Sequence, residues 1–325
     1  MANEKEHWSE IKEVSSGISW TFRFMLWATK HLPRFVLVAI TALVSLFFFL
    51  GAGKIRRNSR IYLEKVARKN GSRKPTWLDC YKHVLCFSIQ MLEKLLSWMG
   101  RLKITDLEKD GGWEDLQKFL TDGNGAFLFC SHLGNMEMFR SLAGDNRNSV
   151  VGNLHVYPIV SFSSTSKFNS LLRELNPELM NHVINANDIG IDSAIMIKEK
   201  LNEGSLIVIA GDRTSATNRD RLLKANFLGD EASFPEGAFI LASIIGAPIY
   251  FGTGIRRKDF SLNSSYEFKI QKARTQFTGS RRERKQQIQA LLEEYVAFIE
   301  EGCSRHPYQW YNFFNFWETN KEAQP

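Results

Sequence analysis

Two five-residue segments, Ala126–Cys130 (AFLFC) and Leu206–Ala210 (LIVIA), contain no charged or hydroxyl side chain. Runs this short and this apolar suit strands covered on both faces, as inside a parallel sheet. Helical patterns lie between and after them. Residues 75–99 carry Tyr81, Val84, Leu85, Leu92, Leu95, Leu96 and Met99 at helical spacing, and Gly100 is a stop signal. A short helix is expected over 112–120, and further helices over 166–175, 192–202 and 235–245, the last with Pro235 in its first turn. Strands are expected over 150–157, 182–185, 248–251 and 266–270. The clearest helix covers 281–301, with Ile288, Leu291, Leu292, Tyr295, Val296 and Ile299 on one stripe and a Ser280/Glu283 capping box. Short apolar strands alternating with helices predict an α/β domain with a mixed, mostly parallel sheet flanked by helices. In such sheets ligands bind beyond the C-terminal ends of the strands.

The N-terminal part obeys a different rule. Residues 35–53 (FVLVAITALVSLFFFLGAG) carry no charge. As a helix this stretch would be roughly 28 Å long at about 1.5 Å per residue, close to the ~30 Å hydrocarbon core of a bilayer. It starts too late for a cleavable signal peptide, and no A-x-A-like site precedes a mature start. The competing reading is a buried core helix. Residues 54–74 hold nine Lys and Arg against one acid, Glu64. The net charge of +7 is therefore concentrated beside the apolar run. That placement favours a membrane surface over nucleic acid as the partner. The denser basic flank puts the rest of the chain in the cytoplasm. Residues 18–32, rich in Trp, Phe and Met, resemble an interfacial helix. A monotopic or re-entrant anchor is an alternative to a full span. The expected division is an anchoring region, 1–74, and an α/β domain, 75–325.

The four cysteines form no C-x-x-C pair and no zinc spacing with histidine, so a reduced compartment is the simple reading and no metal is expected.

The chemistry-bearing segment is Ser131-His-Leu-Gly-Asn-Met-Glu137, which follows an apolar strand directly. His132 stands at the strand's end, Asn135 is a candidate N-cap, and Glu137 falls in the next turn. Across a strand-to-helix turn Glu137 can reach back to the imidazole and hold its tautomer. A lone histidine before a helix also has a structural reading, as a packed and hydrogen-bonded side chain.

This motif resembles the H-x-x-x-x-D/E motif of the glycerolipid acyltransferase superfamily. Later blocks are similar to its bacterial lipid A biosynthesis branch: Gly204-Ser-Leu-Ile-Val-Ile-Ala-Gly-Asp-Arg-Thr-Ser215, Phe227-Leu-Gly followed by Ser233-Phe-Pro-Glu-Gly-Ala-Phe239, and Leu241-Ala through Gly246-Ala-Pro248. The resemblance spans roughly residues 20–317. The closing His306-Pro-Tyr-Gln-Trp-Tyr-Asn-Phe-Phe-Asn-Phe-Trp317 looks more like enzymes for ornithine-type lipids and aryl-polyene pigments, which leaves the acceptor open.

The resemblance implies an acyltransferase with an acyl carrier protein or coenzyme A thioester as donor, a lipid-like acceptor, and no cofactor. His132 would be the general base and Glu137 its orienting partner. Arg213 would hold a phosphate or carboxylate of the acceptor, with Thr214 and Ser215 adding hydrogen bonds. Asn135, Phe234, Glu236 and Gly237 would complete the substrate site. Backbone N–H groups near Gly134 would bind the oxyanion. Alternatives are a surface Asp212–Arg213 pair, a covalent route through Cys130 or Ser131, a hydrolase on the same fold, and a lipid-binding protein without activity. No G-x-S-x-G elbow is present, which counts against a serine hydrolase.

Overall fold

The computed structural model describes residues 18–102, 104–136, 138–139, 154–160, 182–213, 221–278 and 280–317. Four helices lead: α1 (Ile18–His31), α2 (Arg34–Gly51), α3 (Gly53–Lys69) and α4 (Trp77–Trp98). The α/β part follows as β1 (Ile104–Lys109), α5 (Gly111–Thr121), β2 (Ala126–Cys130), β3 (Val156–Val160), β4 (Ile184–Asn185), α6 (Ile191–Asn202) and β5 (Leu206–Ala210). It continues through β6 (Leu222–Phe227), β7 (Asp230–Pro235), α7 (Gly237–Ile245), β8 (Ile249–Arg256), β9 (Ser264–Lys272) and α8 (Arg281–Arg305).

Seven strands form one sheet in the order β1-β9-β8-β2-β5-β3-β4, and all neighbours are parallel except β8 and β9. The mixed, mostly parallel α/β sheet is as expected. β2 and β5 are its centre, and every residue of β2 is buried. Alternate side chains serve two apolar layers. Phe127, Phe129, Ile207, Ile209 and Phe251 face α8, α7 and α6. Leu128, Cys130, Val208 and Tyr250 face Leu116 and Leu120 of α5. Deleting one of these phenyl rings would cost about 3–5 kcal/mol, the usual range for a large core side chain.

α8 begins at the expected capping box, where Ser280 Oγ accepts from the Glu283 N–H and the Glu283 carboxylate accepts from the Ser280 N–H. α4 is capped in the same way by Thr76 and Asp79, a cap whose pattern was not singled out in the sequence. β8 runs on past the expected residue 251 because Gly252, Thr253 and Gly254 interrupt the apolar run without ending the strand, and β9 extends two residues beyond expectation at each end.

Pro235 closes strand β7 instead of opening a helix, and α7 starts at Gly237. The antiparallel pair β6/β7 turns at Leu228 and Gly229, both at positive φ (55° and 87°), as a two-residue primed hairpin requires. Leu-Gly lacks the usual Asn or Asp signal, so the hairpin is hard to read in sequence. The helix expected over 166–175 lies outside the described residues.

The basic block 54–69 is itself a packed helix. Tyr62, Leu63 and Val66 of α3 belong to the same core as Phe227, Leu291 and Trp310. α2 is the one described helix long and apolar enough to cross a membrane. It ends at Gly51, before the expected residue 53, because Ala52 leaves helical geometry.

Candidate functional site

The register of β2 against β5 sets up the site. Ala126 through Cys130 pair in parallel with Leu206 through Ala210. Continuing that register past the strand ends places His132 beside Asp212. The imidazole Nδ1 donates to Asp212 Oδ1 at 2.8 Å, and the His132 backbone N–H donates to Oδ2 at 2.8 Å. A carboxylate accepts only, so Nδ1 carries the proton and Nε2 presents its lone pair. Nε2 has no hydrogen bond among the described residues, and the His132 side chain is 28% exposed.

Asp212 is fully buried. Two further donors close around it: Trp310 Nε1–H at 3.2 Å and Asn312 Nδ2–H at 3.0 Å, both to Oδ2. Burial pushes its carboxyl pKa up, but the imidazole, the Arg213 charge and the His132 N–H outweigh that and hold it below the ordinary carboxylate range. His132 is pulled down by burial first and by the Arg213 charge next, against the opposing pull of Asp212. The imidazole is therefore neutral and basic at neutral pH.

Arg213 lies against the same C-terminal segment. Its Nε donates to Asn312 Oδ1 at 2.6 Å and its Nη2 to the Tyr311 carbonyl. Burial pushes its pKa down to about 10, with Asp212 opposing, so it stays charged. The alternative, a surface Asp212–Arg213 pair, is not what forms. The carboxylate turns inward to His132, and the guanidinium reaches neutral acceptors of residues 311 and 312.

The loop after β2 is held tightly. Leu133 and Trp310 form an antiparallel bridge, with Tyr311 N–H donating to His132 O and Gly134 N–H to Gln309 O, both at 2.8 Å. Gly134 has φ of 71°, and a Cβ there would come within 2.3 Å of the Gly254 carbonyl oxygen. Glycine is required on both grounds. Asn135 N–H bonds Gly254 O at 2.7 Å, and Leu133 N–H bonds Ser131 Oγ at 3.2 Å. The N–H groups of residues 132–135 thus all point to acceptors within the protein. The expectation that those near Gly134 receive an oxyanion therefore finds no free donor at residues 132–135.

The remaining expected residues fall as follows. Glu137, Thr214 and Ser215 lie outside the described residues. Asn135 is fully buried and its side chain donates to Tyr266 at 3.4 Å, so it braces the loop from behind. Phe234 is fully buried among Phe227, Tyr295 and Phe316, a core position and not a pocket wall. Glu236 lies 3.9 Å from Arg221 and precedes α7, while Gly237 is an exposed helix start. Neither touches the His132–Asp212 pair. Cys130 is buried on the α5 side of the sheet with its thiol pKa pushed far up by burial, and Ser131 is buried as well. Neither is presented as a nucleophile.

Sequence reading missed Asp212, Trp310 and Asn312 as site residues. Asp212 carries a signal: it stands two residues past an apolar pentapeptide, as His132 does. None of the protein-family models matches the chain, and no curated protein is significantly similar to it.

Proposed function

We propose that this protein is a membrane-bound acyltransferase that moves a fatty acyl chain from an acyl carrier protein or coenzyme A thioester to a hydroxyl or amine of a lipid-like acceptor. The observation that carries this reading is the His132–Asp212 pair, with its protonated Nδ1 held by a buried carboxylate and its Nε2 directed outward. His132 Nε2 takes the proton from the acceptor O–H or N–H as that atom attacks the thioester carbonyl. The tetrahedral intermediate collapses, the C–S bond breaks, and the imidazolium returns its proton to the thiolate leaving group. Asp212 holds the tautomer and stabilises the imidazolium. The buried positions of Cys130 and Ser131 support direct transfer without an acyl-enzyme. Arg213, charged and beside this pair, suits an acceptor that carries a phosphate or carboxylate. The apolar helix α2 and the basic residues that follow it support a location on the cytoplasmic face of a bacterial inner membrane.

The test compares lipid and pigment extracts by mass spectrometry from cells lacking the protein and complemented with wild type, His132→Ala or Asp212→Asn. One species should lose the mass of a single acyl chain in the deletion and return only with wild type. The purified Asp212→Asn enzyme should fall about 100- to 10,000-fold in turnover, the usual worth of acid–base catalysis. Full restoration by His132→Ala would remove the reaction assigned here.

A further inference from the structure

α2 is apolar throughout, but it is not a free-standing rod. It runs antiparallel along the whole of α4. Arg34 at its start pairs with Glu93 near the end of α4. Leu37 packs with Leu92 and Leu96. In the middle, Tyr81 Oη donates to the Ala42 carbonyl at 2.8 Å. At the far end the Phe49 ring lies 4.9 Å from Trp77 and 5.6 Å from Tyr81.

The other side of α4 is bonded to the α/β body. His83 Nε2 is 2.7 Å from the Trp310 carbonyl, and Gln90 Nε2 donates to the Gly134 carbonyl at 3.0 Å. Glu93 accepts from Ser264 and Tyr266. The axis of α2 is thus fixed relative to the catalytic loop through two layers of contacts.

What α2 leaves uncovered is one continuous stripe. Phe35, Ala39, Ile40, Leu43, Val44, Phe47 and Phe48 are exposed, and Leu43 and Phe47 are 71% and 75% accessible. The i, i+4 spacing puts them on one side of the helix. An apolar face this long on a soluble surface marks an interaction site. Cations stand at both ends. Lys30 is exposed before it, and Lys54, Arg57 and Arg60 are exposed after it. Arg56 reaches back to the last carbonyls of α2, from Phe49 and Leu50, and so removes bare acceptors from that end. An apolar stripe with cations at each end is the pattern of a helix lying at a bilayer surface, apolar face down, with basic side chains among anionic headgroups. A helix crossing the membrane along its normal would draw α4 along with it, and with α4 the buried ions Asp79 and Glu93 that join α4 to its neighbours.

We propose that α2 docks in the plane of an anionic lipid surface, its Phe35-to-Phe48 stripe inserted into one leaflet, so that both ends of the helix stay on the same side of the membrane. This inference does not rest on the acyl-transfer reading, because it uses only the packing and exposure of the N-terminal helices.

The four native cysteines are buried, so single introduced thiols report cleanly. Lys30→Cys and Arg57→Cys flank α2 at exposed positions. Each full-length variant is treated with a membrane-impermeant maleimide in intact spheroplasts and in inverted vesicles. The expected result is labelling of both positions in inverted vesicles and of neither in spheroplasts. Labelling of the two positions from opposite faces makes α2 a span and overturns the proposal, as does protection of both positions in both preparations. In a second arm the full-length chain is floated with vesicles. At least about tenfold more protein should bind phosphatidylglycerol-containing vesicles than phosphatidylcholine vesicles, given the contribution of each basic side chain near an anionic surface. Equal binding overturns the anionic preference. Neither readout depends on catalysis, so loss of the acyltransferase reading would leave both arms interpretable.

Discussion

Asp212 accepts hydrogen bonds from four donors: the His132 ring, the His132 N–H, Trp310 and Asn312. Three reach Oδ2 and one reaches Oδ1, and together they stand in for the water that a fully buried anion would otherwise need. Arg213 acts on the same imidazole with the opposite sign, since its charge disfavours protonation of His132. In the proposed transfer His132 acts as a base and must be neutral, so turnover should fall as pH drops through its pKa, which burial and Arg213 hold below 6.5. Removing the guanidinium raises that pKa. The Arg213→Gln enzyme should therefore show its acid limb displaced to higher pH in a kcat profile at saturating acceptor. An unmoved limb would mean that Arg213 does not shape the base. His132 was legible because a buried strand running straight into a histidine is a local pattern. Asp212 was less so: its role comes from the pairing of two strands 80 positions apart, and pairing is not written in either strand alone.

Among the elements, the segment 309–312 binds to the loop after β2 and to Asp212 together. In sequence it reads as an aromatic tail suited to packing, and its rings do pack: Trp310 lies against Tyr62, Phe227 and Phe316. Its polar atoms have the second task, which spacing cannot reveal because the partners lie about 100 residues away. Trp310→Phe keeps most of the ring and deletes the indole N–H. Hydrogen bonds to charged groups contribute about 1.5–3 kcal/mol, so the variant should lose roughly that much stability in urea titration. Its activity should fall as well, since Oδ2 of Asp212 loses a partner. The helices and central strands were the readable part, because each follows from periodicity within a short window. The charged edge strand β1 and the Leu228–Gly229 hairpin carry weak local signals and appear only once their partners are placed.

At the scale of the whole molecule, His83 ties three regions together. Fully buried, it meets Ser59 of α3 at 2.9 Å through Nδ1 and the Trp310 carbonyl through Nε2. Burial lowers its pKa to about 4, against the opposing bond to Trp310. The unfolded chain, with a histidine near 6.5, therefore takes up a proton that the folded protein refuses between those two values. Stability should be intact above about pH 6.5 and decline as pH falls toward about 4. Thermal melts of wild type and His83→Gln across that window should show a shallower decline in the variant, even if its melting point is lower throughout. Parallel slopes would place the acid sensitivity elsewhere.

The contacts around Asp212 also have an order in time. Synthesis runs from the N-terminus, so α1 to α4 emerge first, His132 next, Asp212 later, and the donors Trp310 and Asn312 nearly 100 residues after that. Until residues 310–312 leave the ribosome, two of the four hydrogen bonds on the buried carboxylate do not exist. Helices α1 to α4 can thus be complete while the carboxylate beside His132 still lacks half of its donors, and the pair gains its full set of bonds only when Trp310 and Asn312 arrive.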